Sequence, residues 1–254
     1  MENNLFVSGI RLKGDIPQDN YLYDLPVIKN VRQMGELSFK KPITFFVGEN
    51  GIGKSTIIEA IAVKFGFNPE GGTKNYNFHT KSTHSILCEY MTLIKTCNFA
   101  KSGYFLRAES LYNAISYYDY TWNEQLSDND YFDTLRNDED SPFSLHTKSH
   151  GESFLRTIED FRPNGLYILD EPEAALSPNG IMKLMCHMDR LIKKGCQFIV
   201  STHSPILITM PNSDIYQLTK DKIELVDYTQ TEHFIITRKF LNNPNQMLNY
   251  LLKD

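Results

Sequence analysis

Three short runs along the chain carry apolar residues at consecutive positions rather than at every second one. They are "ITFFVG" (Ile43 to Gly48), "LYILD" (Leu166 to Asp170) and "QFIVST" (Gln197 to Thr202). Unbroken, β-rich apolar runs of this length predict strands buried on both faces, as in a parallel sheet. Between them the period changes. After a glycine-rich turn, Ile57, Ile58, Ile61, Ala62 and Phe65 fall on one helical stripe that stops at Gly66. Ile181, Leu184, Met185, Met188, Leu191 and Ile192 make a second stripe, opened by Ser177 and Pro178 as N-cap and first residue and closed by Gly195. Strands alternating with helices predict an α/β fold with a mainly parallel central sheet.

The flanks differ. "LFVSGIRLKG" and "GELSF" read as an antiparallel β edge at the N-terminus, and "DIYQLTKDKIELVDY" as a late hairpin. "HFIITRKFL" and "NQMLNYLLKD" read as helices. Between Asp119 and Ser149 the chain turns acidic and irregular: Asp128, Asp130, Asp133, Asp138, Glu139 and Asp140 fall within 13 positions. Their spacing matches no metal loop, so a solvated connection is expected there. The expected organisation is one domain over 1–254, with a helical and irregular lobe at about 100–160 inserted into it.

Composition narrows the function classes. At 41% hydrophobic and 22% charged residues the chain has a globular composition, and its net charge of -5 provides no general attraction to nucleic acid or anionic membrane. The start, "MENNLFVSGI", has neither a basic n-region nor an apolar h-region, and no run of 18 apolar residues occurs, so a cytoplasmic location is expected. Four cysteines without a C-x-x-C pair argue for reduced thiols rather than a zinc or redox site.

"GENGIGKST" fits G-x-x-x-x-G-K-[ST] and lies between a predicted strand and a predicted helix, which makes Asn50, Gly51, Ile52, Gly53, Lys54, Ser55 and Thr56 the candidate phosphate-binding residues. Glycines let the backbone curl round a polyphosphate, so that N–H groups and the positive helix end face it. Lys54 would reach the β- and γ-phosphates of ATP, and the Ser55 hydroxyl would ligate Mg²⁺. Asp170 ends a buried strand at the carboxyl edge of the sheet, where it is suited to hold Mg²⁺ through water. Glu171 follows as a candidate to orient or deprotonate the attacking water. His203 follows the third strand, near the expected γ-phosphate. "SHGESF" reads as a helix start, with Ser149 as N-cap and Glu152 at N3 of a capping box before Phe154 and Leu155.

The order of these segments is informative. The P-loop (Gly48 to Thr56), Ser149 to Glu152, "LDEPE", "AALSP" and "STHSP" together resemble the Walker A, signature, Walker B, D-loop and histidine switch of the ATP-binding cassette (ABC) ATPases, over roughly Leu5 to Leu218. The resemblance implies a head-to-tail homodimer around two Mg-ATP, with Ser149 and Gly151 at the γ-phosphate held by the other copy and Glu152 among the nucleotide-binding residues of the same string. It also implies that Glu171 is the general base, that His203 senses the γ-phosphate and that Ala175 to Ser177 cross the dimer interface. The glutamate in Ser149-His150-Gly151-Glu152 is similar to the SMC and RecF branch rather than to transporter cassettes. The cassette glutamine after the P-loop helix has no counterpart, because Gln125 is badly placed. Glu109 in "GYFLRAES" is the candidate substitute near Mg²⁺, with Arg107 second.

With "FLRAES", "SHGESF" and "LDEPEAALSP" the chain is also similar to small stand-alone predicted ATPases of bacteria. An ATP-driven switch with a protein or DNA partner, in DNA maintenance or defence, is the expected role; the energy-coupling subunit of a membrane transporter is the alternative. Adenine contacts are expected around Arg11 and Arg32.

Overall fold

The computed structural model describes residues 5–69, 71–72, 86–107 and 150–252, with 150–153 described by backbone alone. Glu109, Ser149, Gln125 and the acidic run from Asp128 to Asp140 lie outside the described residues.

The three apolar runs are strands β3 (Ile43–Gly48), β6 (Gly165–Asp170) and β7 (Gln197–Ser201). They sit inside a six-stranded sheet with β5 (Ser102–Arg107), β8 (Ser213–Leu218) and β9 (Ile223–Leu225), in the order β5-β6-β7-β3-β8-β9. Every pairing from β5 to β8 is parallel, and only the β8–β9 hairpin is antiparallel.

Why the runs show no polar–apolar alternation follows from what covers them. On one face lie helix α2 (Lys54–Phe65), helix α1 (Pro26–Met34) and a small β-sheet, which bury Phe46, Ile168 and Ile199. On the other lie α4 (His150–Glu159) and α5 (Pro178–Ile192), which bury Phe45, Val47, Tyr167, Leu169, Phe198 and Val200. Successive strand residues therefore enter different cores, and neither parity has a solvent face to leave polar.

The capping signals act as expected. The Ser177 hydroxyl accepts from the Gly180 N–H at 3.2 Å, and Gly66 ends α2 at φ 109°. The short helix α3 (Leu87–Tyr90) and the C-terminal helices α6 (Glu232–Asn242) and α7 (Pro244–Leu251) complete the elements used below. Among the described residues no helix is long and apolar enough to cross a membrane.

The antiparallel N-terminal β element is present, as a sheet of its own rather than a rim of the large one. β1 (Val7–Leu12) pairs on one side with β2 (Leu37–Ser38) and on the other with β4 (Met91–Lys95). A buried polar side chain joins the two sheets. Gln197, fully buried at the start of β7, accepts the N–H groups of Phe6 and Val7 at 2.8 and 3.0 Å and donates to the Val7 carbonyl at 2.7 Å. Asp214, also buried, likewise ties the turn before β3 to β8 by accepting the N–H groups of Lys40 and Lys41 at 2.8 and 3.1 Å.

Gln197→Leu should therefore lower the unfolding free energy by at least about 3 kcal/mol, since three buried backbone groups lose partners at about 1 kcal/mol or more each. Urea unfolding measures this; an unchanged midpoint would show that the small sheet is held by apolar packing alone.

Candidate functional site

The carboxyl ends of β3, β6 and β7 lie side by side, and the chain's candidate chemistry collects there. Register sets the neighbours: Phe46 lies opposite Ser201, Asp170 opposite Ser201, and Arg107 opposite Asp170.

After β3 the loop turns sharply into α2, and two of its glycines have no alternative. A Cβ at Gly48 (φ 151°) would stand 2.4 Å from the Leu218 carbonyl oxygen, and one at Gly53 (φ 103°) 2.4 Å from Cγ1 of Val27. The tight passage turns Lys54, the first residue of α2, back over the loop. Lys54 is 4% exposed, and its ammonium donates to the carbonyls of Gly48 and Glu49 at 2.8 and 2.9 Å. Burial lowers its pKa, while Glu171, Asp170 and Glu173 pull the other way by attraction. An ammonium folded over a glycine-bearing loop at the first turn of a helix is suited to receive a polyanion. A cavity of about 300 Å³ opens beside the loop, lined among others by Gly48, Glu49, Ile52 and His233.

Asp170 is buried to 3% exposure and receives partners on both oxygens. Oδ1 accepts from the Ser55 hydroxyl at 3.2 Å and from the Ser201 hydroxyl. Oδ2 lies 3.3 Å from Arg107 Nε, and the same guanidinium reaches Glu59 Oε2 through Nη1 at 3.1 Å. Glu171 has left-handed backbone angles, φ 49° and ψ 55°, which cost a non-glycine residue about 1–2 kcal/mol. Its N–H is anchored on the carbonyl and hydroxyl of Ser201 at 3.1 and 3.2 Å.

His203 is fixed through its backbone N–H, which donates to Glu173 Oε1, while Glu173 Oε2 accepts from the Thr202 hydroxyl at 2.8 Å. The ring points back into the site: Nε2 is 3.5 Å from Glu171 Oε1, within ion-pair reach but not aligned for a hydrogen bond. Nδ1 is 3.2 Å from His233 Nε2. Burial, with the Lys54 charge second, lowers the pKa of His203 against the opposing pull of Glu171.

The structure thus brings Lys54, Ser55, Asp170, Glu171 and His203 to one edge. Gly151 and Glu152 lie in the first turn of α4, on backbone alone, and Phe154 and Ile158 seat the rest of that helix against the sheet.

A family model described as "AAA domain" matches residues 27–155, just over half of the chain. The chain belongs to the AAA-domain family. A second AAA-domain model, whose description also names the AbiEii toxin of type IV toxin–antitoxin systems, matches residues 153–209 of this AAA domain. No curated protein matches.

Among solved structures the AAA domain is similar to the SMC head domain from Thermotoga maritima (17% identity, 88% of this chain and 99% of that one, TM-score 0.43). It is also similar to a nucleotide-free ATP-binding cassette from an ABC transporter (14%, 98% and 100%, 0.46) and to cbiO1 from Clostridium perfringens, part of an ABC transporter complex (14%, 94% and 97%, 0.45). At these identities and scores none of the three bears on a substrate or partner.

Sequence reasoning missed four participants in this AAA domain's site. Arg107, for which the sequence suggests only the place of the missing glutamine, is the counter-charge of Asp170. Parallel strands that end together put "FLR" beside "ILD", but this is visible only once the strand order is known. Ser201 and Glu173 lie inside recognised motifs without an assigned task, and His233 lies beyond both matched segments.

Arg107→Met should destabilise the protein by about 3 kcal/mol, because it leaves two buried carboxylates without their shared cation. Glu59→Gln in that background should recover part of the loss. A double-mutant cycle from urea unfolding measures the coupling, and additive losses would show that the pair is electrostatically idle.

Proposed function

We propose that this AAA domain hydrolyses ATP with Mg²⁺, and that two copies pack head to tail around two nucleotides as a single-domain switch. The observation that carries the reading is the convergence at one sheet edge of an ammonium, a hydroxyl, a carboxylate, a strained glutamate and a histidine, namely Lys54, Ser55, Asp170, Glu171 and His203.

The residues fit the ligand. Loop glycines leave no side chain between backbone and phosphates, and buried His203 Nε2 has no hydrogen bond, as a group awaiting an acceptor would. Ser55 and Asp170 offer the hard oxygen donors that Mg²⁺ takes. Held there by Ser55 and Asp170, Mg²⁺ would supply neutralisation of the nucleotide's phosphate charge.

In this reading Lys54 exchanges the loop carbonyls for phosphate oxygens, and Ser201 holds the Asp170 carboxylate towards Ser55. Glu171 accepts the proton of the water that attacks the γ-phosphorus; the bond from that phosphorus to the bridging oxygen breaks, releasing ADP and phosphate. His203 donates to the γ-phosphate. In the same reading Ser149 and Gly151 meet the γ-phosphate of the opposite copy, with the positive end of α4 towards it and Glu152 in the same string. An isologous pair then buries both sites together. The Ser-x-Gly-Glu form of that string supports a role in DNA maintenance or defence over coupling to a transporter.

Glu171→Gln should slow hydrolysis by about 10²–10⁴-fold, the usual contribution of a general base, and accumulate an ATP-bound dimer visible by light scattering. A variant that stays monomeric in saturating Mg-ATP would rule out the head-to-tail arrangement. Ser149→Arg should abolish ATP-dependent dimerisation while nucleotide binding at Lys54 persists. Loss of both would make the start of α4 a folding element only.

A further inference from the structure

We propose that His233, the second residue of α6, is a positioning residue that fixes the tautomer of His203, so that His203 presents an N–H from Nε2 to the γ-phosphate. The proposal deepens the reading given above and rests on its placing of His203 against that phosphate.

The geometry leaves one consistent arrangement of protons. His203 Nδ1 lies 3.2 Å from His233 Nε2, and the two rings are nearly perpendicular, at 81°, so the nitrogens rather than stacked faces make the contact. His203 Nε2 is buried and lies 3.5 Å from a Glu171 carboxylate oxygen. Burial and the nearby Lys54 charge favour a neutral ring, which has one proton for two nitrogens. With that proton on Nδ1, the Nε2 lone pair would face the Glu171 carboxylate, and any phosphate beyond it, as acceptor against acceptor. With the proton on Nε2, a donor faces the anions and Nδ1 needs a donor of its own. His233 Nε2–H supplies it, and the chain runs in one direction: His233 to His203 to Glu171 or phosphate.

His233 is well placed to hold that position. The turn ahead of α6 is locked by reciprocal hydrogen bonds between Asp227 and Gln230, with Thr231 fully buried behind it. Tyr228 and Phe234 pack edge to face with ring centroids 5.1 Å apart. The arrangement follows a general rule for working histidines: the hydrogen bond at one nitrogen decides what the other presents.

¹⁵N spectra of the histidine rings in the full chain test the assignment directly and need no nucleotide. In the wild-type protein His203 is expected as the Nε2–H tautomer. His233→Leu, which has no donor, should convert that pattern to an average of the two tautomers. It should also lower ATP hydrolysis by about 10–100-fold, by analogy with losing the partner that orients a metal-binding histidine. Affinity for ADP, which has no γ-phosphate, should stay unchanged. His233→Gln restores an amide donor and should recover the tautomer and most of the lost rate, which a purely structural role for His233 would not predict.

A wild-type His203 protonated at Nδ1, or a His233→Leu spectrum identical to wild type, would overturn the assignment. A tautomer change without slower hydrolysis would leave the contact standing and overturn the link to the γ-phosphate. Failure of the wider reading has a separate signature, since His203→Ala would then hydrolyse ATP at the wild-type rate.

Discussion

A carboxylate at 3% exposure cannot stand alone in a protein interior, and the site is arranged around meeting that condition for Asp170. Its partners come from three directions. Ser55 rises from the first turn of α2, Ser201 ends β7 and Arg107 ends β5, so the carboxylate is satisfied only when the P-loop helix and both neighbouring strands are in register. The same condition ties fold to chemistry. A slip of one residue between β5 and β6 would turn Arg107 to the opposite face of the sheet and leave Asp170 without its cation. Arg107 is itself shared with Glu59 on α2, so the helix is held to the sheet by charge as well as by its apolar stripe.

The strain at Glu171 is a consequence of this anchoring. With Asp170 drawn inward and the Glu171 N–H held on Ser201, the chain turns through a left-handed residue before Pro172 can begin the next turn. That turn leaves the Glu171 side chain 39% exposed at the sheet edge, whereas Asp170 remains inside. Two adjacent acids thereby receive different environments, one dry and fixed by partners, the other solvated and close to His203. Such a division allows one carboxylate to hold a cation and the next to take up a proton.

Much of this was legible in the sequence wherever the signal was local. β3, β6 and β7 announce themselves because burial on both faces removes the alternation of polar and apolar positions, and α2 and α5 are bounded by Gly66, Ser177 and Pro178, whose conformational preferences act within one turn. Lys54, Ser55, Asp170, Glu171 and His203 were legible because each sits at a fixed offset from one of those strands. What could not be read depends on pairing across long separations. "MTLIK" gives no sign that it will flank β1, and nothing in Gln197 reveals that a buried amide will join two sheets. Arg107 and His233 belong to the same class, because a charge or a ring nitrogen carries no periodicity, and its partner is set by strand order or by where a later helix returns.

The two hydrophobic clusters explain why the site lies at their common edge. One joins α1, α2 and the small sheet to the strands; the other joins α4 and α5 to the opposite face. Lys54 and Ser55 belong to the helix of the first cluster, and the string from His150 to Ser153 opens a helix of the second, while Asp170, Glu171 and His203 come from the strand ends and turns between them. A close-packed core resists deformation, so groups fixed to opposite faces of one sheet keep their separation and cannot collapse on one another. The P-loop helix and α4 therefore belong to layers on opposite faces of the sheet, and the strand ends between them carry Asp170 and Glu171.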